Sequence, residues 1–201
     1  MKSFQNFNLS QFILKFDSFG CIILFSGKRK VLEDDKQMIF NLGRKICSKT
    51  KHIIFRTGNA DGADFYFGMG VASIDPSRLQ TILPYKGHRK KQNQSNYQIT
   101  LEEIDLLNEP ELIYQSKKNK KTEKLIDKYL NGEESKYVIK AAYIIRDTLM
   151  VLGNNNIKAT SFAFFYDDLL QPKLGGTGHT IKVCEQNSIP HCNQLIWQKW
   201  I

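Results

Sequence analysis

The chain has 201 residues, 41 % of them apolar, and a formal net charge of +9. That length suits one domain with a substantial core, and that apolar share excludes wholesale disorder. No apolar run approaches the ~20 residues needed to span a bilayer, so no membrane partner is expected.

The opening stretch MKSFQNFNLSQFILKF has an early lysine, but Lys15 and Asp17 interrupt the apolar run. It lacks the unbroken core of a signal peptide, and a cytoplasmic location is expected. Lysine greatly outnumbers arginine among the 29 basic residues. Biased coding can produce that mixture, so the charge permits a polyanionic partner without requiring one. The four cysteines (Cys21, Cys47, Cys184, Cys192) form no C-x-x-C pair, which argues against a disulfide framework. His179, Cys184, His191 and Cys192 lie close together but lack paired ligand spacing, so no metal is expected.

In chain order, CIILFSG (21–27) is a short apolar run ended by glycine, the pattern of a strand buried on both faces. Residues 33–48 read as a helix. Glu33, Asp34 and Asp35 sit in its first turn, and Leu32, Met38, Ile39, Leu42 and Ile46 can form its buried stripe. HIIF (52–55) reads as a second buried strand, followed by the turn RTGNADGAD and a helix from Gly62 to about Ala72. LQTILP (79–84) is a third strand, stopped by Pro84.

Residues 86–133 are polar, charged and partly helical, and read as an insertion beyond the sheet. They include the basic runs KGHRKK (86–91) and KKNKKTEK (117–124), each of which suits either a solvated face or a polyanion contact. A helix over 134–150, a strand over 161–166, a helix over 178–187 and a last short strand after Ile189-Pro190 complete the pattern. The aromatics Phe162, Phe164, Phe165 and Tyr166 read as core, and Trp197 and Trp200 as anchors of the last segment or a subunit contact. Strands alternating with helices predict an α/β, Rossmann-like fold: a mostly parallel sheet with helices on both faces and one inserted helical segment, within a single domain spanning 1–201.

In such a sheet, ligands collect beyond the carboxyl ends of the strands. Three loops on that rim combine glycine with polar, hydroxyl or basic groups. The first is Ser26-Gly27-Lys28-Arg29. The second runs from Arg56 through Thr57, Gly58 and Gly62 to Asp64. The third follows Asp167 and Asp168 and contains Gly175-Gly176-Thr177-Gly178, then His179 and Thr180. Together they offer exposed backbone N–H groups, cations and helix N-termini, which is what an anion site needs. Asp61 and Asp64 can cap the following helix, and Asp64 reads as an organising residue. Arg56, at the end of a buried strand, needs a partner, and a phosphate would serve. The third loop is neither a P-loop, since no lysine-hydroxyl pair follows it, nor a dinucleotide fingerprint, since Ile181 stands where the third glycine belongs. Read locally, it is either a phosphate cradle or a plain turn.

FRTGNADGADFYFGMGV, ILPYKGHR, IIRDTLMVLG and GGTGHTIKVCEQNSIPHCN occur in that order. In order and spacing these blocks resemble the SLOG superfamily of Rossmann-like nucleotide-binding proteins. The branch they resemble is the DprA-like (DNA-processing protein A) group common in bacteria, phages and mobile elements. The resemblance spans about 20–195, leaving 92–133 uncovered. It implies two glycine loops facing across one pocket, framed by Gly58, Gly62, Asp64, Gly175, Gly176, Thr177, Gly178 and Thr180, and often paired subunits. Arg146 matches an arginine that relatives usually follow with asparagine; here Asp147 follows.

Three functions are therefore weighed. The leading one is binding of a nucleotide or nucleotide-derived ligand, with Lys28, Arg29, Arg56 and Arg146 as cations. A second is single-stranded DNA binding, with Lys86, Arg89, Lys90 and Lys91 on the basic loop beside Tyr85 and His88. A third is Lonely-guy-like phosphoribohydrolysis of nucleoside monophosphates. Leu174, His179 and Lys182 depart from that group's Pro-Gly-Gly-x-Gly-Thr-x-x-Glu signature, and the missing carboxylate removes its key group. Binding is thus expected rather than catalysis, and no catalytic residue is assigned.

Overall fold

A computed structural model of the chain describes residues 7–133 and 135–201. The elements in chain order are α1 (Leu9–Phe16), β1 (Ile22–Gly27), α2 (Glu33–Lys49), β2 (Ile54–Thr57), α3 (Ala63–Ala72), β3 (Leu79–Leu83), β4 (Tyr97–Thr100), α4 (Pro110–Lys117), α5 (Lys120–Leu130), α6 (Ile139–Leu152), β5 (Phe162–Tyr166), α7 (Gly175–Gln186), β6 (His191–Asn193) and α8 (Gln194–Trp197). The six strands form one sheet in the order β4-β3-β2-β1-β5-β6, and every pairing is parallel. This is the expected Rossmann-like α/β arrangement.

Strand periodicity builds a core on each face. Ile23 and Phe25 of β1 join Phe55, Phe162, Phe164 and Tyr166 on one face, beneath α1, α2 and α3. Their neighbours Leu24, Ala163 and Phe165 point to the other face, where α4 to α7 pack. Alternation of side chains across a strand requires this division, and burial on both faces explains why the strands read as unbroken apolar runs. Trp197 and Trp200 anchor the C-terminal segment: their indole N–H groups donate to the carbonyls of Phe165 (2.9 Å) and Phe7 (3.0 Å).

Three readings change. Residues 86–133 are not an insertion outside the sheet, because they supply its edge strand β4, paired with β3 from Gln80↔Tyr97 to Leu83↔Thr100. The strand escaped notice because it is four residues long and only Ile99 and Thr100 are buried. The rest of that segment is not an excursion either. Leu112 of α4 and Ile126 of α5 are core residues against α6. Next, β2 begins two residues later than its apolar run suggests and continues through Arg56 and Thr57, which pair with Gln80 and Thr81. Finally, α1 has no counterpart in the sequence reading. Asn8 and Gln11 close a reciprocal capping box at its start (2.9 and 3.0 Å), and Phe12 and Phe16 bury its inner face. Residue 134, at the start of the predicted 134–150 helix, and residues 1–6 lie outside the described residues; the helix itself runs from Ile139 to Leu152.

Candidate functional site

The chain crosses from one side of the sheet to the other between β1 and β5. From β1 it proceeds through α2 on one face, and from β5 through α7 on the opposite face. The carboxyl ends of these strands, Gly27 and Tyr166, lie opposite each other in register. Such a reversal opens a crevice at the sheet edge, and all three glycine loops border it.

Asp64 ties two of them together. Its carboxylate accepts from the N–H of Gly27 (3.2 Å) and of Gly58 (2.9 Å), and it is 3 % exposed. Burial pushes its pKa up, against the opposing pull of Arg146 and of the N–H groups of Gly58, Ala60 and Gly27. The N–H of Ala63 donates to the Lys28 carbonyl (3.0 Å), so the first loop rests on the start of α3. Asp64 is thus an organiser, as its place in the first turn of α3 suggests. Arg146, from α6, reaches the same point and donates through Nη1 to the Gly58 carbonyl. A Cβ on Gly58 would lie 1.6 Å from that nitrogen, so only glycine admits the guanidinium.

Beside it, Arg146 Nε lies 3.0 Å from Asp147 Oδ1, an ion pair without hydrogen-bond geometry. Burial pushes the Asp147 carboxyl up to about 6; Arg146 opposes this and Asp64 adds to it. Its Oδ2 lies 3.2 Å from where a Cβ on Gly176 would be, directly under the start of α7.

The third glycine run is the first turn of a helix rather than a loop preceding one, since α7 starts at Gly175, three residues earlier than expected. Gly178 packs where a Cβ would be 1.9 Å from the Lys173 carbonyl, which holds this turn against the 167–174 loop. Gly175 and Gly176 are exposed. No side chain caps this helix and no acidic residue occupies its first turn, whereas α2 has Glu33, Asp34 and Asp35 in the same position. The first turn's N–H groups have no side-chain cap and can take an anion, although the Asp147 carboxyl beneath them offsets part of the dipole.

Loop 167–174 is fastened at both ends. Asp168 accepts from the N–H groups of Leu170 and Gln171 and pairs with Lys28 (2.5 Å), and Asp167 accepts from the Lys173 N–H (2.9 Å). The Lys28 contact holds the Asp168 carboxyl below its ordinary pKa.

The structure therefore brings together Gly27, Lys28, Gly58, Gly62, Asp64, Arg146, Gly175 and Gly176. It sets others aside. Arg56 is fully buried and does not wait for a phosphate. Its guanidinium donates to Gln80 Oε1 (2.6 Å) and to the carbonyls of Met150 (2.8 Å) and Lys158 (2.9 Å), on the α6 face of the sheet. His179 points inward from α7, with Nε2 2.8 Å from Thr148 Oγ1. Burial, with a contribution from Lys182, lowers its pKa to about 4, so the ring is neutral at physiological pH. Thr180 donates to the Gly176 carbonyl (3.0 Å) within the helix, and Ser26, Thr57 and Thr177 are buried. On the basic loop, the Arg89 guanidinium pairs with the exposed Asp61 carboxylate. Lys86, Lys90 and Lys91 are exposed, as are Arg29 and Lys30, and none has a carboxylate partner among the described residues. Glu185, the remaining carboxylate considered for hydrolysis, is engaged by Lys173 (2.6 Å).

Sequence reasoning missed the layer between Arg146 and the basic loop. Asn59 Nδ2 donates to the carbonyls of His88 (3.3 Å) and Arg89 (3.4 Å), which fixes the basic loop over the second glycine loop. The His88 ring is buried beside Tyr85 and Tyr143, and the Arg146 guanidinium lies 5.8 Å from the Tyr143 ring centre. The spacing of Tyr143 and Arg146, three residues apart on one helix, was the available signal.

No family model matches the chain, and no curated protein matches it significantly. Among solved structures it is similar to DNA processing protein A from Helicobacter pylori, in a structure described for that protein's single-stranded DNA binding mode. The TM-score is 0.51 at 13 % identity, over 90 % of this chain and 67 % of that one. At that identity the likeness establishes a DprA-like fold. No helix among the described residues is long and apolar enough to cross a membrane.

Proposed function

We propose that the chain binds single-stranded DNA, with a backbone phosphate seated at the exposed N-terminus of α7. One observation carries this reading: the uncapped start of α7 at Gly175 and Gly176 borders the switch-point crevice, with exposed cations on the loops of its β1–β3 side. Arg29 and Lys30 stand on the β1 loop, and Lys86, Lys90 and Lys91 on the loop after β3. A phosphate at the helix terminus would fix the register of the strand, and the lysines would follow its backbone. The fold's likeness to a protein whose structure is described for single-stranded DNA binding favours this reading over a small ligand.

Fluorescence anisotropy with a labelled thymidine oligonucleotide tests it. Binding should weaken steeply with salt, because neutralising phosphates releases counterions. Affinity that does not change with salt, or no binding at low salt, contradicts it.

A free nucleotide is the second reading, since the same helix terminus could take a terminal phosphate. Calorimetry across nucleotides and cyclic dinucleotides tests it, and heat of binding from a nucleotide but not from the oligonucleotide would favour it. Either ligand would be bound rather than turned over: Glu185 is committed to Lys173, and Lys182 stands where a catalytic carboxylate would be needed.

A further inference from the structure

On the β6 side of the 167–174 loop, a cleft of about 210 Å³ lies between the carboxyl end of β5 and the edge strand β6. Phe165, Ile181 and Ile196 line it, and Asp167, His191 and Asn193 are polar groups on its wall. The register Ala163↔His191 and Phe165↔Asn193 puts both β6 side chains on the face that Phe165 shares with α7. Asp167 is 6 % exposed, and the buried Gln194 holds its backbone twice. The Asp167 N–H donates to Gln194 Oε1 (3.0 Å), and the Asp167 carbonyl accepts from Gln194 Nε2 (2.6 Å). The Asp167 Oδ2 accepts from the Lys173 N–H (2.9 Å), while Oδ1 accepts no hydrogen bond among the described residues. Nor does this carboxylate pair with a cation among them, since Lys173 turns to Glu185 and Lys28 to Asp168. A carboxylate oxygen so buried and so left open calls for a donor from outside the chain.

We infer that this cleft binds a guanine base through its N–H edge. The Ile189 carbonyl can only accept, so His191 Nδ1, 3.2 Å away, carries the proton of the neutral ring and Nε2 is left an acceptor. Asn193 Oδ1 accepts from the Leu195 N–H (3.2 Å), which leaves the amide nitrogen to donate. The cleft thus sets a charged oxygen and a ring nitrogen, both acceptors, against one amide donor. Among the bases, guanine alone presents two adjacent donors, N1–H and the 2-amino group, beside an acceptor, O6. A guanidinium would also satisfy the carboxylate, but it has nothing to accept from Asn193, and the chain's net charge of +9 opposes a cation. Phe165 and the isoleucines of α7 and α8 give a flat ring apolar surface to pack on. At about 210 Å³ the cleft falls short of the ~300 Å³ at which pockets for drug-sized ligands begin, so it suits one base rather than a whole nucleotide. The site stands apart from the α7 terminus and does not depend on a phosphate there.

Ligand-observed NMR titrations of the full chain with nucleosides, which carry no phosphate, test it. Guanosine should bind. Inosine, which lacks only the 2-amino group, should bind about tenfold more weakly, and adenosine and cytidine more weakly still. Asp167→Asn keeps an oxygen for the Lys173 N–H and turns a donor into the cleft. It should therefore reverse the preference, favouring xanthosine, whose 2-carbonyl accepts where the guanine amine donates. Equal affinity across the nucleosides, no binding of guanosine, displacement of guanosine by arginine, or a folded Asp167→Asn that still prefers guanosine overturns the inference. The wild-type series decides the matter even if the variant does not fold. One guanine placed within a thymidine oligonucleotide then separates the sources of the base: tighter binding assigns the cleft to a base of the strand, and equal binding assigns it to a free guanine nucleoside. Failure of the oligonucleotide to bind overturns the DNA reading and leaves the guanine site standing, and failure of guanosine does the reverse.

Discussion

Replacing Asp147 by asparagine should change how stability depends on pH. Burial raises the Asp147 carboxyl from 3.8 to about 6. At ~1.36 kcal/mol per tenfold change in proton affinity, that corresponds to about 3 kcal/mol between the protonated and ionised forms. The sign follows from the direction. The folded chain holds this proton to a higher pH than the unfolded chain does. The stability it confers is therefore complete below the ordinary carboxyl value and is lost as pH rises through about 6. Asparagine has the same shape and no proton to lose. Urea unfolding of both proteins from pH 4 to 7.5 measures the difference, in which the other titrating groups, His88 and His179 among them, largely cancel. The wild-type protein should lose about 2.4 kcal/mol relative to Asp147→Asn over that range, leaving the variant more stable at neutral pH. Parallel stability curves would refute the argument, and so would a variant that is less stable at pH 7.5.

Gly58→Ala would place a methyl group on the Arg146 guanidinium and force it out of a buried pair, at a cost of about 2–4 kcal/mol. An unchanged melting temperature would show that the guanidinium is not fixed there. His179→Ala should cost about 1–3 kcal/mol through the lost bond to Thr148, while the affinity of the folded protein for an oligonucleotide changes less than twofold; a large loss of binding would return His179 to the site. Replacing Lys90 and Lys91 together by alanine should lower the slope of log affinity against log salt by about 1.4, or ~0.7 for each phosphate contact removed from a single strand. An unchanged slope would make the basic loop solvated decoration.

Most of the sheet was legible because strands buried on both faces leave unbroken apolar runs, as in 21–27, which glycine bounds, and in 162–166. The edge strand β4 was not, since an edge strand with two exposed residues leaves almost no apolar record. At the site, glycine positions were legible where backbone meets backbone or a guanidinium, as Gly58 and Gly178 do. Direction was not legible. Arg56 and Arg146 look alike in sequence, each an arginine among apolar neighbours. Strand alternation turns Arg56 toward carbonyls near the end of α6, while α6 carries Arg146 to the crevice. For His179, the earlier start of α7 adds residues 175–177 to the helix, whose period places 175 and 176 outside and 179 inside.

The central claim is that a backbone phosphate occupies the start of α7, and Gly176→Asp tests it most directly. The new carboxylate would stand in the first turn, where it favours the helix itself, yet it would fill the anion seat above Asp147. Anisotropy titration of the labelled oligonucleotide at one fixed salt concentration, with the wild-type protein and the variant side by side, is the measurement. The account predicts at least a tenfold loss of affinity in a variant that still unfolds cooperatively. Unchanged affinity in that folded variant would contradict it.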